Sequence, residues 1–179
     1  MPWEILSMGI FDKLFKNDDK FEQLFKNSVN YEDPDKKFSV QIPAIYGSNE
    51  PIEDEALKIL GSPGEKEITF VGGYGTFSIY ICQNNSKNID EWYEDYKKTN
   101  IEIFNPKMEK VLLSNHPAIK ISYQLDEMPP HFTKFYEYLF WVKKGENLFN
   151  LKFHFQENKY LKRYLDSIPM ICKSFKITI

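Results

Sequence analysis

Apolar and polar residues alternate along much of this chain. Phe38, Val40 and Ile42 interleave with Ser39 and Gln41 and stop at Pro43, the period-two signature of a half-buried strand. Residues 68–71 and 76–82 are β-rich runs, and in the second Phe77, Ile79 and Ile81 share one face. Gly72-Gly73-Tyr74-Gly75 joins them, predicting a tight hairpin whose Gly-Gly step supplies positive φ angles. Val111 to Leu113 leads through Ser114-Asn115-His116-Pro117 into Ile119, Ile121, Tyr123 and Leu125. Residues 132–143 are apolar on both parities, with Phe132, Tyr136, Tyr138, Phe140 and Val142 on one and Phe135, Leu139 and Trp141 on the other. Such a strand needs cover on both faces. Lys144-Gly145-Glu146-Asn147 then reverses the chain into Phe149, Leu151, Phe153 and Phe155, with Asn150, Lys152 and His154 on the opposite parity.

Helical spacing takes over elsewhere. Asn88 is placed to cap a helix and Glu91 to complete the capping box, while Ile89, Trp92, Tyr93 and Tyr96 form one stripe. Acidic residues precede Lys97 and Lys98 in that helix, the order its dipole favours. Tyr160, Leu161, Tyr164, Leu165 and Ile168 mark a last helix, which Pro169 is expected to kink or restart, before a short strand at 174–177. Near the start, Ile10, Phe11, Leu14 and Phe15 recur at helical spacing, and Phe21, Leu24 and Phe25 continue the pattern. The polar run 27–37, with Pro34, predicts a boundary between an N-terminal helical appendage (1–36) and a main domain (37–179). Residues 48–67 are acidic and rich in Pro and Gly, an excursion with room for a short helix from Ile52 to Leu60. Hairpin-joined strands with one helix inserted and another following predict an α+β fold: an antiparallel β-sheet flanked by helices as an α/β/α sandwich.

Composition narrows the function. Of 179 residues, 42% are hydrophobic and 16% aromatic, which excludes a disordered chain. A formal net charge of −3 without any basic run argues against nucleic-acid binding. Two cysteines, Cys82 and Cys172, exclude a disulfide scaffold and a cysteine zinc site. No stretch reaches the ~18 consecutive apolar residues of a membrane span. The first residues lack a basic n-region and apolar core, so the expected location is the cytosol.

Little here points to catalysis. His116, His131 and His154 stand far apart, and no His, Cys or carboxylate set has familiar ligand spacing, so neither a metal nor a cofactor is expected. The glycine run at 72–75 lacks the Gly-Lys-Ser/Thr ending of a phosphate loop and leads into a strand. No nucleophile elbow is present.

Several segments resemble the PsbP-like and DcrB-like superfamily of α/β/α sandwiches. Phe38-Ser39-Val40-Gln41-Ile42-Pro43 is similar to its opening strand, Phe77-Ser78-Ile79-Tyr80-Ile81 to a later strand, and Asn88-Ile89-Asp90-Glu91-Trp92-Tyr93 to its inserted helix. His116-Pro117-Ala118-Ile119-Lys120-Ile121 resembles its central hairpin, with His116 where Gly is common, and Ser174-Phe175 resembles its close. The resemblance spans about residues 37 to 179, and the chain is expected to differ from many bacterial relatives in carrying no signal or lipid anchor. It implies a non-enzymatic adaptor, since members include photosystem subunits, a nuclear-transport GTPase cofactor, lipoproteins and chaperones of secreted toxins.

The expectation is therefore a protein- or peptide-binding accessory protein, with a chaperone or adaptor role in secretion or with toxins as one version. Surplus aromatics mark where a partner would touch, because Tyr and Trp dominate interface hot spots. The candidates are Tyr74, Trp141 and the loop carrying Met128, His131 and Phe132 around Pro129-Pro130. Two alternatives stand beside it. One is a peripheral membrane protein held by Ile10, Phe11, Leu14 and Phe15, disfavoured by Asp12, Asp18, Asp19 and Glu22 diluting the lysines. The other is a small-molecule-binding domain or enzyme with a pocket in the sheet.

Overall fold

The computed structural model describes residues 27–46, 51–54, 64–100, 106–126 and 133–179. Its strands are β1 (Val29–Glu32), β2 (Phe38–Ile42), β3 (Ile52–Glu53), β4 (Lys66–Val71), β5 (Gly75–Gln83), β6 (Lys107–Leu113), β7 (His116–Asp126), β8 (Lys134–Lys144), β9 (Asn147–Gln156) and β10 (Lys176–Ile177). Helix α1 (Ile89–Asn100) lies between β5 and β6, and α2 (Leu161–Ser174) follows β9. A seven-stranded antiparallel sheet runs β3-β4-β5-β9-β8-β7-β6, and a three-stranded sheet runs β1-β2-β10. This is the α+β arrangement the hydrophobic pattern predicts.

The chain leaves β5 for the far edge strand β6 and then returns to β5 by the meander β6-β7-β8-β9. Four strand spacings of ~4.8 Å separate β5 from β6. Twelve residues of α1 extend ~18 Å, so the helix is about the length of that crossing. The strand parities then decide what each face buries. Phe77, Ile79, Ile81, Phe140, Val142, Phe149, Leu151, Phe153 and Phe155 form one core with Tyr164, Ile168 and Ile171 of α2 and with β2. Ile119, Ile121, Leu139 and Leu148, on the opposite parity, pack under Ile89 and Trp92 of α1. Helices therefore cover both faces, and the aromatic wealth of β8 and β9 is spent between them.

The small sheet shares the α2 side. Tyr46 sits wholly buried and hydrogen-bonds Ser167 at 3.0 Å. The backbone N–H of Gln41 donates to Ser174 Oγ at 3.0 Å, tying β2 to the end of α2. A two-residue turn with Ser114 and Asn115 at positive φ joins β6 to β7, and Ser114 Oγ accepts the N–H of Ile177 at 3.2 Å. Buried Asp33 pairs with Lys66 and accepts the Lys37 N–H at 2.9 Å, which fixes the turn between β1 and β2.

Several expectations change. The run 27–37 is more than a linker: Val29–Glu32 pairs antiparallel with β2 from Val29↔Ile42 to Glu32↔Ser39, so ordered sheet begins before residue 37. Only Val29 and Tyr31 alternate there, too short a pattern to read. Ile52 and Glu53 pair with β4 as an edge strand rather than opening a helix, and residues 55–60 lie outside the described residues. Pro169 lies inside an uninterrupted α2. His116 and Pro117 belong to β7, paired with Leu113 and Leu112. The helix expected around Ile10, Phe11, Leu14 and Phe15 falls outside the described residues. Among those described, no helix is long and apolar enough to cross a membrane.

Candidate functional site

The turn between β4 and β5 is closed by the Gly72 N–H donating to Gly75 O at 2.8 Å. Positive φ is not what selects its glycines, for neither Gly72 nor Gly73 has one. Space selects Gly72 and Gly75. A Cβ on Gly72 would lie 2.6 Å from Tyr164 Oη and 2.8 Å from Ile45 O. A Cβ on Gly75 would lie 2.6 Å from the Phe155 ring and 2.9 Å from His154 O. The bare backbone thus admits Tyr164 from α2, whose hydroxyl accepts the Tyr74 N–H at 3.1 Å. On the other side, the Gln156 N–H donates to Tyr74 O at 3.0 Å.

Tyr74 is therefore held at both backbone groups while its side chain remains 44% exposed. Its ring stacks on Tyr160, centroids 5.5 Å apart and planes 30° apart. Tyr160 is the N-cap residue of α2 and makes no side-chain cap bond. Its N–H donates to Asn158 Oδ1 at 2.7 Å. The Lys159 ammonium lies 4.9 Å and the Arg163 guanidinium 5.7 Å from the Tyr160 ring centre, within cation–π range. Lys162, next in sequence to Arg163, is exposed. The result is an aromatic pair, one ring open to solvent, bordered by two cations, Lys159 and Arg163, on a protein whose net charge is −3.

A second cluster lies on the α1 side of the sheet. Tyr123, Glu137 and His154 face one another across β7, β8 and β9. Tyr123 donates its hydroxyl to Glu137, and His154 Nδ1 lies 2.9 Å from the same carboxylate. Burial opposes the charge on Glu137, but the bonds from His154 and Tyr123 and the Lys152 ammonium outweigh it and hold its pKa below the usual carboxylate value. Burial, then the bond to this carboxylate, pushes the Tyr123 phenol up. Further along, Trp141 Nε1 and Asn150 Oδ1, cross-strand neighbours, are buried without a hydrogen-bond partner. Glu137 is held by groups on its own sheet, Tyr123, His154 and Lys152.

The structure separates the candidates that sequence singled out. Tyr74 reaches solvent at the start of α2. Trp141 packs under α1, its ring 4.6 Å from that of Trp92 and 6.3 Å from that of Tyr96. Met128, His131 and Phe132 lie outside the described residues. Tyr160 and Arg163 were not among the expected contact residues, because Tyr160 fits the helix stripe and only the fold brings it to Tyr74. Burial raises the thiol pKa of Cys82 and of Cys172, keeping both protonated and weakly nucleophilic. Among the described residues, no group of His, Cys, Asp and Glu is placed to hold a metal.

No family model matches the chain, and no curated protein matches its sequence. Solved structures do. The solution structure of cyanobacterial PsbP from Synechocystis sp. PCC 6803 aligns over 84% of this chain and 92% of its own, with TM-score 0.52 and 14% identity. The fold is PsbP-like. The Ran-binding protein Mog1p of Saccharomyces cerevisiae aligns over 85% of this chain and 96% of its own, with TM-score 0.50 and 6% identity. A Bacteroides thetaiotaomicron structure aligns over 83% of this chain at 13% identity and TM-score 0.49, and the chain spans about half of that protein, 47%. At these identities the likeness concerns architecture, and the PsbP-like scaffold leaves function to be argued from the site.

Proposed function

We propose that this chain is a non-catalytic accessory protein that binds a protein or peptide partner, with Tyr74 at the centre of the contact. The observation that carries this reading is an exposed aromatic ring on a turn pinned by Tyr164 and Gln156. A rigid exposed aromatic contributes contact area at small entropic cost on binding, the property that makes Tyr a frequent hot spot. The PsbP-like fold is compatible with it, since one solved structure of similar architecture is described as a Ran-binding protein. A chaperone or adaptor role in secretion is a narrower version that rests on family resemblance alone.

Panning an unbiased peptide library on the full chain, with Tyr74→Ala as the counter-selecting variant, tests the reading. A consensus that binds the native chain and is lost on Tyr74→Ala is the expected result. No Tyr74-dependent consensus after repeated rounds would overturn it.

A further inference from the structure

The charges around the Tyr74–Tyr160 stack say what kind of partner it takes. Resting on the binding reading above, we infer that the occupant is an acidic peptide segment carrying an aromatic or large apolar residue. The apolar residue lies on the open ring of Tyr74, and the segment's carboxylates meet Lys159 and Arg163.

Three observations support this. Among the described residues, no carboxylate pairs with Lys159, Lys162 or Arg163, whereas Lys97 and Lys98 of α1 pair with Glu94 at 2.5 Å and Asp95 at 2.7 Å. The cations that border the stack are thus available to a carboxylate from outside. Arg163 is the only arginine among 179 residues. Arginine is the residue enriched at interfaces and suited to bidentate carboxylate binding, and here it also stands over an aromatic face. Finally, Lys159 and Arg163 put two positive charges at the Tyr160 ring, an attraction for an acidic segment that acts within the ~8 Å Debye length of physiological salt. The aromatic stack distinguishes the patch from a bare basic surface, which would hold any polyanion with equal ease. An anionic membrane is the competing occupant, and the stack favours the peptide because it is two rings rather than an insertable apolar tip.

Fluorescence anisotropy on the full chain decides between them. Three probes are used: a fluorescein-labelled peptide of Asp and Glu around a central Phe, the same peptide with Lys replacing every acid, and phosphatidylserine-containing vesicles read by flotation. Circular dichroism first confirms that Tyr74→Ala and Arg163→Glu fold. The acidic peptide is expected to bind, to weaken with added salt, and to lose at least about tenfold in affinity in each variant, with Arg163→Glu gaining affinity for the Lys peptide. Equal binding of both peptides, an acidic affinity untouched by Arg163→Glu, or binding of vesicles in place of peptide would overturn the inference. A Tyr74-dependent library consensus without acidic excess would sink the acidic partner while leaving the peptide-binding reading intact.

Discussion

The two helices start in opposite ways. Helix α1 opens with Asn88 Oδ1 accepting the Glu91 N–H at 2.9 Å and with Glu91 reaching back to the Lys87 N–H, so two otherwise open donors are satisfied. Asp90 and Glu91 occupy its first turn and Lys97 and Lys98 its last, as the helix dipole favours. Helix α2 has the basic last turn, in Lys173, but lacks the capping box and the acidic first turn. Its N-cap Tyr160 makes no side-chain bond, no acid stands in its first turn, and Lys162 and Arg163 put positive charge against the positive end of the dipole. Stability alone explains α1. Asn158 satisfies the Tyr160 and Leu161 N–H groups. The start of α2 still forgoes a side-chain cap from its N-cap residue and a favourable first-turn charge at the place where an aromatic ring is exposed. Local rules broken without structural gain are expected at functional sites.

The faces beneath the helices differ too. On the α2 side the sheet is apolar from Phe77 to Phe155, whereas the α1 side mixes Leu139 and Ile121 with Glu137, Asn150 and His154. The largest effect should come from the apolar side. Phe153 is fully buried and its ring lies 4.8 Å from that of Phe77, so Phe153→Ala should cost about 3–5 kcal/mol in urea unfolding. A loss below ~1 kcal/mol would mean that the face collapses far more readily than its packing implies.

Acid should reveal the other face. Glu137 has a folded pKa below its ordinary value of 4.5. The stability it contributes is therefore fully present above that value and is lost as pH falls through the depressed folded pKa. Thermal melts of the native chain should decline over that acid range, and those of Glu137→Gln should decline less while starting lower. Identical pH profiles would show that the bonds from Tyr123 and His154 do not favour the charged carboxylate.

Smaller effects separate the helix starts. Asn88→Ala should cost ~1 kcal/mol through loss of the cap. Lys162→Glu should do the reverse, adding ~0.3–1 kcal/mol of stability because an acid then stands in the first turn. A destabilising Lys162→Glu would remove the contrast from which the functional reading of α2 was drawn.

How much of this was legible in sequence depends on the range of the determining contact. The β9 alternation from Leu148 to Phe155 and the capping box at Asn88 are local, and both predicted their elements. The pairing of Val29–Glu32 with β2 is set by partners rather than by its own short pattern, so the boundary at 27–37 missed it. Gly72 and Gly75 were legible as a turn, yet the reason for glycine lies in Tyr164, far along the chain. The same long reach hid the site: Tyr74 was singled out as an aromatic, while its companions Tyr160 and Arg163 join it only through the packing of α2 against β5 and β9. Glu137 and His154, 17 positions apart, meet only because β8 and β9 pair in register.

The most direct test of the central claim is a ¹H–¹⁵N spectrum of the full chain titrated with the acidic, Phe-bearing peptide. Saturable shifts confined to residues 72–75 and 157–164, absent in Tyr74→Ala, are the predicted result. Shifts centred on α1 and Trp141, or none at all, would contradict it.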